Sequence, residues 1–148
     1  MFKHIVVGTE GSPTALHAVT EAAELARATG ARLNIVCAYE PVPESRLREE
    51  AREAPDDVRW MINPHEDADV ALREAADRAT EFGVTDIDQH ARQGEPAGVL
   101  LDVAEEIGAD LIVVGNKGMT GARRFLLGSV PNQVSHHAPC SVLIVRTT

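Results

Sequence analysis

The chain has 148 residues, 44% of them apolar, only 3% aromatic, and a formal net charge of -9. That length predicts one domain spanning 1–148, large enough to bury a core without metal or disulfide staples. Such an acidic chain repels phosphate backbones and anionic lipid, so neither nucleic acid nor a membrane surface is an expected partner. No apolar run approaches the ~20 residues that span a bilayer. The start, Met1-Phe2-Lys3-His4-Ile5, enters a strand pattern at once rather than a leader. The expected location is therefore the cytoplasm.

In chain order, the first strand is predicted at Ile5-Val6-Val7. A helix follows over about Pro13 to Thr29, with Ala15, Ala18, Val19, Ala22, Leu25 and Ala26 along one stripe. Ser12 is its N-cap, Pro13 its first residue and Gly30 its left-handed stop. Leu33-Asn34-Ile35-Val36-Cys37 reads as the second strand. Glu40 to Pro64 then breaks the rhythm with four prolines and a dense run of charge. It reads as a solvated excursion, with a flap over a site as the alternative.

The next helix is predicted over about Glu66 to Phe82, with Ala68, Ala71, Leu72, Ala75, Ala79 and Phe82 inward and Gly83 as its stop. A weak third strand is expected at Thr85 to His90. A helix follows at about Pro96 to Ile107, and then a strand at Leu111-Ile112-Val113-Val114. A last helix is predicted at Ser129 to His137, stopped by Pro139 and followed by a strand at Val142 to Val145. Helix, glycine and strand recur three times, which predicts right-handed βαβ units and an open parallel α/β sheet flanked by helices. Its continuous β-branched strands suit a sheet covered on both faces.

The stretch from Val113 to Val130 carries the chemistry. A buried strand runs into Gly115 and Gly118, and Gly128-Ser129 opens a helix. Glycines let backbone N–H groups approach a phosphate, and a helix start adds unpaired donors with the positive end of its dipole. Ser129 can donate its hydroxyl, and Lys117, Arg123 and Arg124 supply cations. This is no P-loop, since Gly rather than Ser or Thr follows Lys117. Nor does a GxGxxG follow the first strand, where the turn reads Gly8-Thr9-Glu10-Gly11-Ser12. If the strand order is 3-2-1-4-5, that turn and the Gly115 segment meet where the order reverses. Ligands of open α/β sheets bind there.

The spacing Gly115-x2-Gly118-x9-Gly128-Ser129 resembles the ATP-binding signature of the universal stress protein family. The first turn is similar to that family's D-G-S turn, with Glu10 in the place of the usual Asp. The resemblance is to small actinobacterial single-domain members, some of which favour cyclic AMP. It implies a Rossmann-like sheet of five parallel strands, an adenine nucleotide (ATP, AMP or cyclic AMP) at the reversal point, and a homodimer formed through Val142 to Val145. It further implies that Gly8, Thr9 and Glu10 line the adenosine end, with the strand edge near Cys37 and Ala38 flanking adenine with backbone groups. Val114, Gly115, Gly118, Gly128, Ser129 and Val130 would hold ribose and phosphates. ATP would add Lys117 and Arg123, with Mg2+ left open.

A stress-linked sensor or buffer of nucleotide is the function so implied; a slow ATP hydrolase and a ligand-free dimeric interaction protein are the alternatives. No catalytic residues and no metal ligands are expected. His136 and His137 are adjacent on a helix and point about 100° apart, so they share no ligand face. Cys37 and Cys140 read as reduced thiols, with a redox pair as the alternative.

Overall fold

The computed structural model describes residues 1–40, 64–116 and 128–147. Strand β1 (His4–Gly8) is the axis of the sheet, paired in parallel with β2 (Arg32–Tyr39) on one side and β4 (Leu111–Gly115) on the other. β3 (Ile87–Gln93) adds to the outer edge of β2, and β5 (Ser141–Val145) to that of β4, giving the order β3-β2-β1-β4-β5. The expected 3-2-1-4-5 sheet is the observed one.

Because strand side chains alternate between faces, each β-branched run feeds two cores. On one face Ile5, Val7, Leu33, Ile35, Leu111 and Val113 pack under α1 (Pro13–Thr29) and α2 (Pro64–Glu81). On the other, Val6, Val36, Ile112 and Val114 pack under α3 (Pro96–Ile107) and α4 (Ser129–His137). The helix faces that meet the sheet are mostly alanine: Ala18, Ala22, Ala23 and Ala26 on α1, and Ala68, Ala71, Ala75 and Ala79 on α2. Small side chains let the helix backbones lie close to the sheet, which explains how so few aromatics suffice.

Helix ends follow their local chemistry. The Ser12 hydroxyl accepts from the Ala15 N–H at 3.1 Å. Gly30 ends α1 at φ 73°, its N–H donating to the Ala26 carbonyl. α1, α3 and α4 span the predicted residues, while α2 begins at Pro64, two residues ahead of the expected Glu66. The rest of the excursion, 41–63, lies outside the described residues.

The third strand differs from expectation. It begins at Ile87 rather than Thr85 and runs on to Gln93. β2 likewise continues past Cys37 to Tyr39, and β3 pairs along it from Leu33↔Ile87 to Tyr39↔Gln93. β3 is an edge strand held by polar side chains: Arg32 pairs with Asp88 at 2.6 Å, His90 with buried Asn34 at 3.2 Å, and Arg92 with Glu106 at 2.6 Å. Hydropathy carries no signal for ends set by such a ladder.

Gly30 has open space around the position of a Cβ but sits at positive φ. Gly30→Ala is expected to strain the backbone without a clash and to lower stability by about 1 kcal/mol, measured as a lower urea midpoint at unchanged m value.

Candidate functional site

At the carboxyl edge of the sheet, where β1 faces β2 on one side and β4 on the other, a cleft of about 180 Å³ opens. Its floor is apolar, from Val36 and Ala38 of β2, Leu100 of α3 and Val114 of β4. Gly8 and Gly115 end the two strands that bracket it, and Thr9 and Glu10 continue the first of them. A Cβ at Gly8 would meet both methyl carbons of Leu100 at 3.2 Å. Glycine there keeps the floor open.

The turn after β1 is fixed by its own hydrogen bonds. The Thr9 N–H donates to the Val36 carbonyl at 2.9 Å, carrying the β1–β2 pairing one residue past the strand. The buried Thr9 hydroxyl accepts from the Gly11 N–H at 3.1 Å. The Ser12 hydroxyl donates to Glu10 Oε1 and lies 3.1 Å from Thr14 Oγ1.

Three helices begin around this cleft: Thr14 and Ala15 of α1, Pro96 of α3, and Val130 and Pro131 of α4 all line it. Their starts are electrostatically unequal. Glu95 caps α3, its two oxygens each accepting at 3.1 Å, from Ala97 N–H and Gly98 N–H. Ser12 caps α1 and holds Glu10 beside it. α4 has Gly128 as its cap, with no side-chain cap bond and no acid in its first turn. Among the described residues no carboxylate is bonded to its leading N–H groups, so this start is the one suited to an external anion.

Asn116 anchors that corner. Its carbonyl accepts from Gly128 N–H at 3.0 Å and its N–H donates to the Val145 carbonyl at 2.8 Å. Its side-chain oxygen accepts from Thr147 N–H at 2.8 Å and Thr147 Oγ1 at 3.1 Å. The chain therefore leaves β4 and returns to α4 at one fixed point.

With this geometry in place, comparison with known proteins is decisive. The sequence profile of the universal stress protein family matches residues 1–146. The chain belongs to the universal stress protein family. A universal stress protein of Mycobacterium tuberculosis is 38% identical to it over 149 residues, covering 99% of this chain and 98% of that protein. A putative universal stress protein of Staphylococcus haemolyticus is 30% identical over 155 residues, covering 99% and 86%. Among solved structures, a universal stress protein in complex with cAMP aligns at TM-score 0.77 and 36% identity, covering 99% of both chains.

Of the site residues expected from sequence, this family member brings Gly8, Thr9, Glu10, Ala38, Val114, Gly115 and Val130 together around the cleft. Gly128 and Ser129 form the adjoining helix start, with Ser129 exposed. Lys117, Gly118, Arg123 and Arg124 lie outside the described residues. Cys37 alternates to the opposite face of β2, into the core beneath α1 and α2, so only its backbone faces the strand edge beside Ala38. Burial pushes its thiol up to about 11, with Glu10 and Asp69 adding to the shift. Cys140 packs on the other side of the sheet, so the two thiols do not form a redox pair.

The sequence reading missed Thr14, Ala15, Ala18, Val36, Pro96, Leu100 and Pro131 as lining residues. The proline at the first turn of α3 marks a helix start at the same sheet edge, and was the available signal for Pro96. The apolar ones read simply as core.

Gly8→Val is expected to displace Leu100 and fill the cleft from its floor. Binding of any ligand seated there should weaken by more than about tenfold by calorimetry, as expected for a side chain forced into a packed wall.

Proposed function

We propose that this protein binds an adenine nucleotide in the cleft between β1 and β4 and serves as a cytoplasmic stress-linked sensor or buffer of that nucleotide. The observation that carries the reading is the α4 start: a helix N-terminus with no side-chain cap bond among the described residues, beginning at Gly128 and pinned to Asn116, opening on an apolar cleft at the strand-order reversal. In this reading the phosphate sits at Gly128, Ser129 and Val130, and the base lies over Val36, Ala38 and Leu100. Two supports are independent of the cleft's shape: the Gly115-x2-Gly118-x9-Gly128-Ser129 spacing, and the relative at 36% identity whose structure contains cAMP. AMP, cyclic AMP and ATP share the groups so recognised.

Among the described residues the reading gives magnesium no site of its own. Glu10 is the one carboxylate among the described lining residues, and no group of three or more His, Cys, Asp or Glu able to hold a metal occurs among the described residues. A magnesium ion would arrive with a triphosphate and be held mainly by it.

The test is thermal unfolding with and without nucleotide. An adenylate at 100 times its dissociation constant should stabilise the fold by about 2.7 kcal/mol, raising Tm. No rise with ATP, AMP and cyclic AMP alike would favour a ligand-free interaction protein. Sustained ATP turnover above about 1 s⁻¹ would make it an enzyme instead.

The homodimer is part of the same proposal. β5 is an edge strand whose Leu143 and Ile144 are 39% and 38% exposed, an apolar strand edge of the kind that pairs with another chain. Replacing both with lysine is expected to halve the mass measured by light scattering. An unchanged mass would place the interface elsewhere.

A further inference from the structure

The start of α4 has few donors to give. Gly128 N–H is spent on the Asn116 carbonyl at 3.0 Å, and Pro131 has no N–H. What remains for an anion is the N–H groups of Ser129 and Val130, directly after that clamp, and no side chain among the described residues caps them. Their aim depends on how firmly residue 116 is held. Asn116 is bonded through three groups. Its N–H donates to the Val145 carbonyl at 2.8 Å, and its carbonyl accepts from Gly128. Its side-chain oxygen accepts from Thr147 N–H at 2.8 Å and from Thr147 Oγ1 at 3.1 Å. The first two bonds are made by the main chain, so any residue at 116 can form them. The side-chain pair needs an acceptor of asparagine's reach, and it ties the end of β4 to a residue beyond β5. Asn116 does not line the cleft, so whatever its side chain does for a ligand it does through Gly128.

We infer that Asn116 is a positioning residue for the ligand's phosphate. Its amide oxygen, held by Thr147, fixes the residue whose carbonyl holds Gly128, and thereby sets where the Ser129 and Val130 N–H groups point. This rests on the reading of the cleft as an adenine-nucleotide site, and it makes Thr147 part of that site's framework. Without the side-chain bonds the corner must be ordered at the moment of binding, and that cost falls on affinity. At about fivefold per net hydrogen bond, losing the pair should weaken a phosphate-bearing ligand by between about fivefold and about thirtyfold. The apolar floor of Val36, Ala38 and Leu100 belongs to other elements, so a nucleoside without phosphate should hardly feel the change.

The experiment is calorimetric titration of AMP and of adenosine on the wild type and four variants: Asn116→Ala, Thr147→Pro, the two combined, and Asn116→Asp. Asn116→Ala keeps both main-chain bonds and removes the acceptor. Thr147→Pro keeps Asn116 and removes both donors, and it carries the same test should Asn116→Ala not fold. Each is expected to weaken AMP by about tenfold and adenosine by less than about twofold. The double variant should weaken AMP no further than either single change, because both cut the same pair of bonds. Asn116→Asp keeps an acceptor for Thr147. At 0.5 M salt, where its added charge is screened, it should bind AMP within about twofold of the wild type. Unchanged AMP affinity in Asn116→Ala overturns the inference. An equal loss of AMP and adenosine also overturns it, since Asn116 would then be a general support of the cleft. So does a loss in Asn116→Asp as deep as in Asn116→Ala, since the acceptor would then not matter. A wild type that binds neither AMP nor adenosine would instead remove the nucleotide site itself, and the positioning role with it.

Discussion

Parallel strands joined by right-handed crossovers force every connecting helix to run back against the sheet, so the helices start at the carboxyl edge. In this chain α1, α3 and α4 all begin around the cleft there. Each start presents N–H groups that the helix cannot satisfy, together with the positive end of its dipole. The edge is therefore a place of concentrated electrostatic demand, and the local sequence decides start by start whether the protein or a ligand meets it.

The answers differ for reasons visible in single residues. Glu95 bends back onto the N–H groups of Ala97 and Gly98 and closes α3. Ser12 closes α1 and, by donating to Glu10, holds a carboxylate near that corner. Gly128 has no side chain to offer, and among the described residues no side chain caps α4. The strand order then matters, because β1 pairs with β2 on one side and β4 on the other, and the cleft lies at Gly8 and Gly115 where the order reverses. Bulk is absent where it would fill that space: Gly8 could not carry even a Cβ without pressing on Leu100. Packing, strand order and helix capping thus converge on one concave site.

Much of this was legible beforehand where the signal is local. Ser12-Pro13 and Gly30 mark the ends of α1, and the β-branched runs of β1, β4 and β5 mark strands, because caps and burial periodicity act over a few residues. β3 was legible only roughly. It pairs along β2 from Leu33 to Tyr39, and its side-chain partners, Arg32–Asp88 and Asn34–His90, are more than fifty residues apart in sequence, which no window of hydropathy registers. At the site, side-chain direction along β2 is likewise set by register. Ala38 lines the cleft while its neighbour Cys37 turns into the opposite core, and which of two adjacent strand residues faces a ligand depends on register against β1 and β3. Val36, Leu100 and Pro131 were readable as apolar but not as cleft, since a core position and a pocket floor have the same composition.

The amino-acid sequence on its own determined the alternation of strands and helices, the caps, and the glycine–serine spacing that places a family signature on the last crossover. These follow from backbone sterics and short-range hydrogen bonding, which are properties of consecutive residues. Only the tertiary structure decided that three helix starts share one cleft, that two of them are capped by Ser12 and Glu95, and that the third begins at Gly128, held to Asn116. Those relations join residues brought together by strand order, and electrostatic competition among them exists only once the sheet has set their distances.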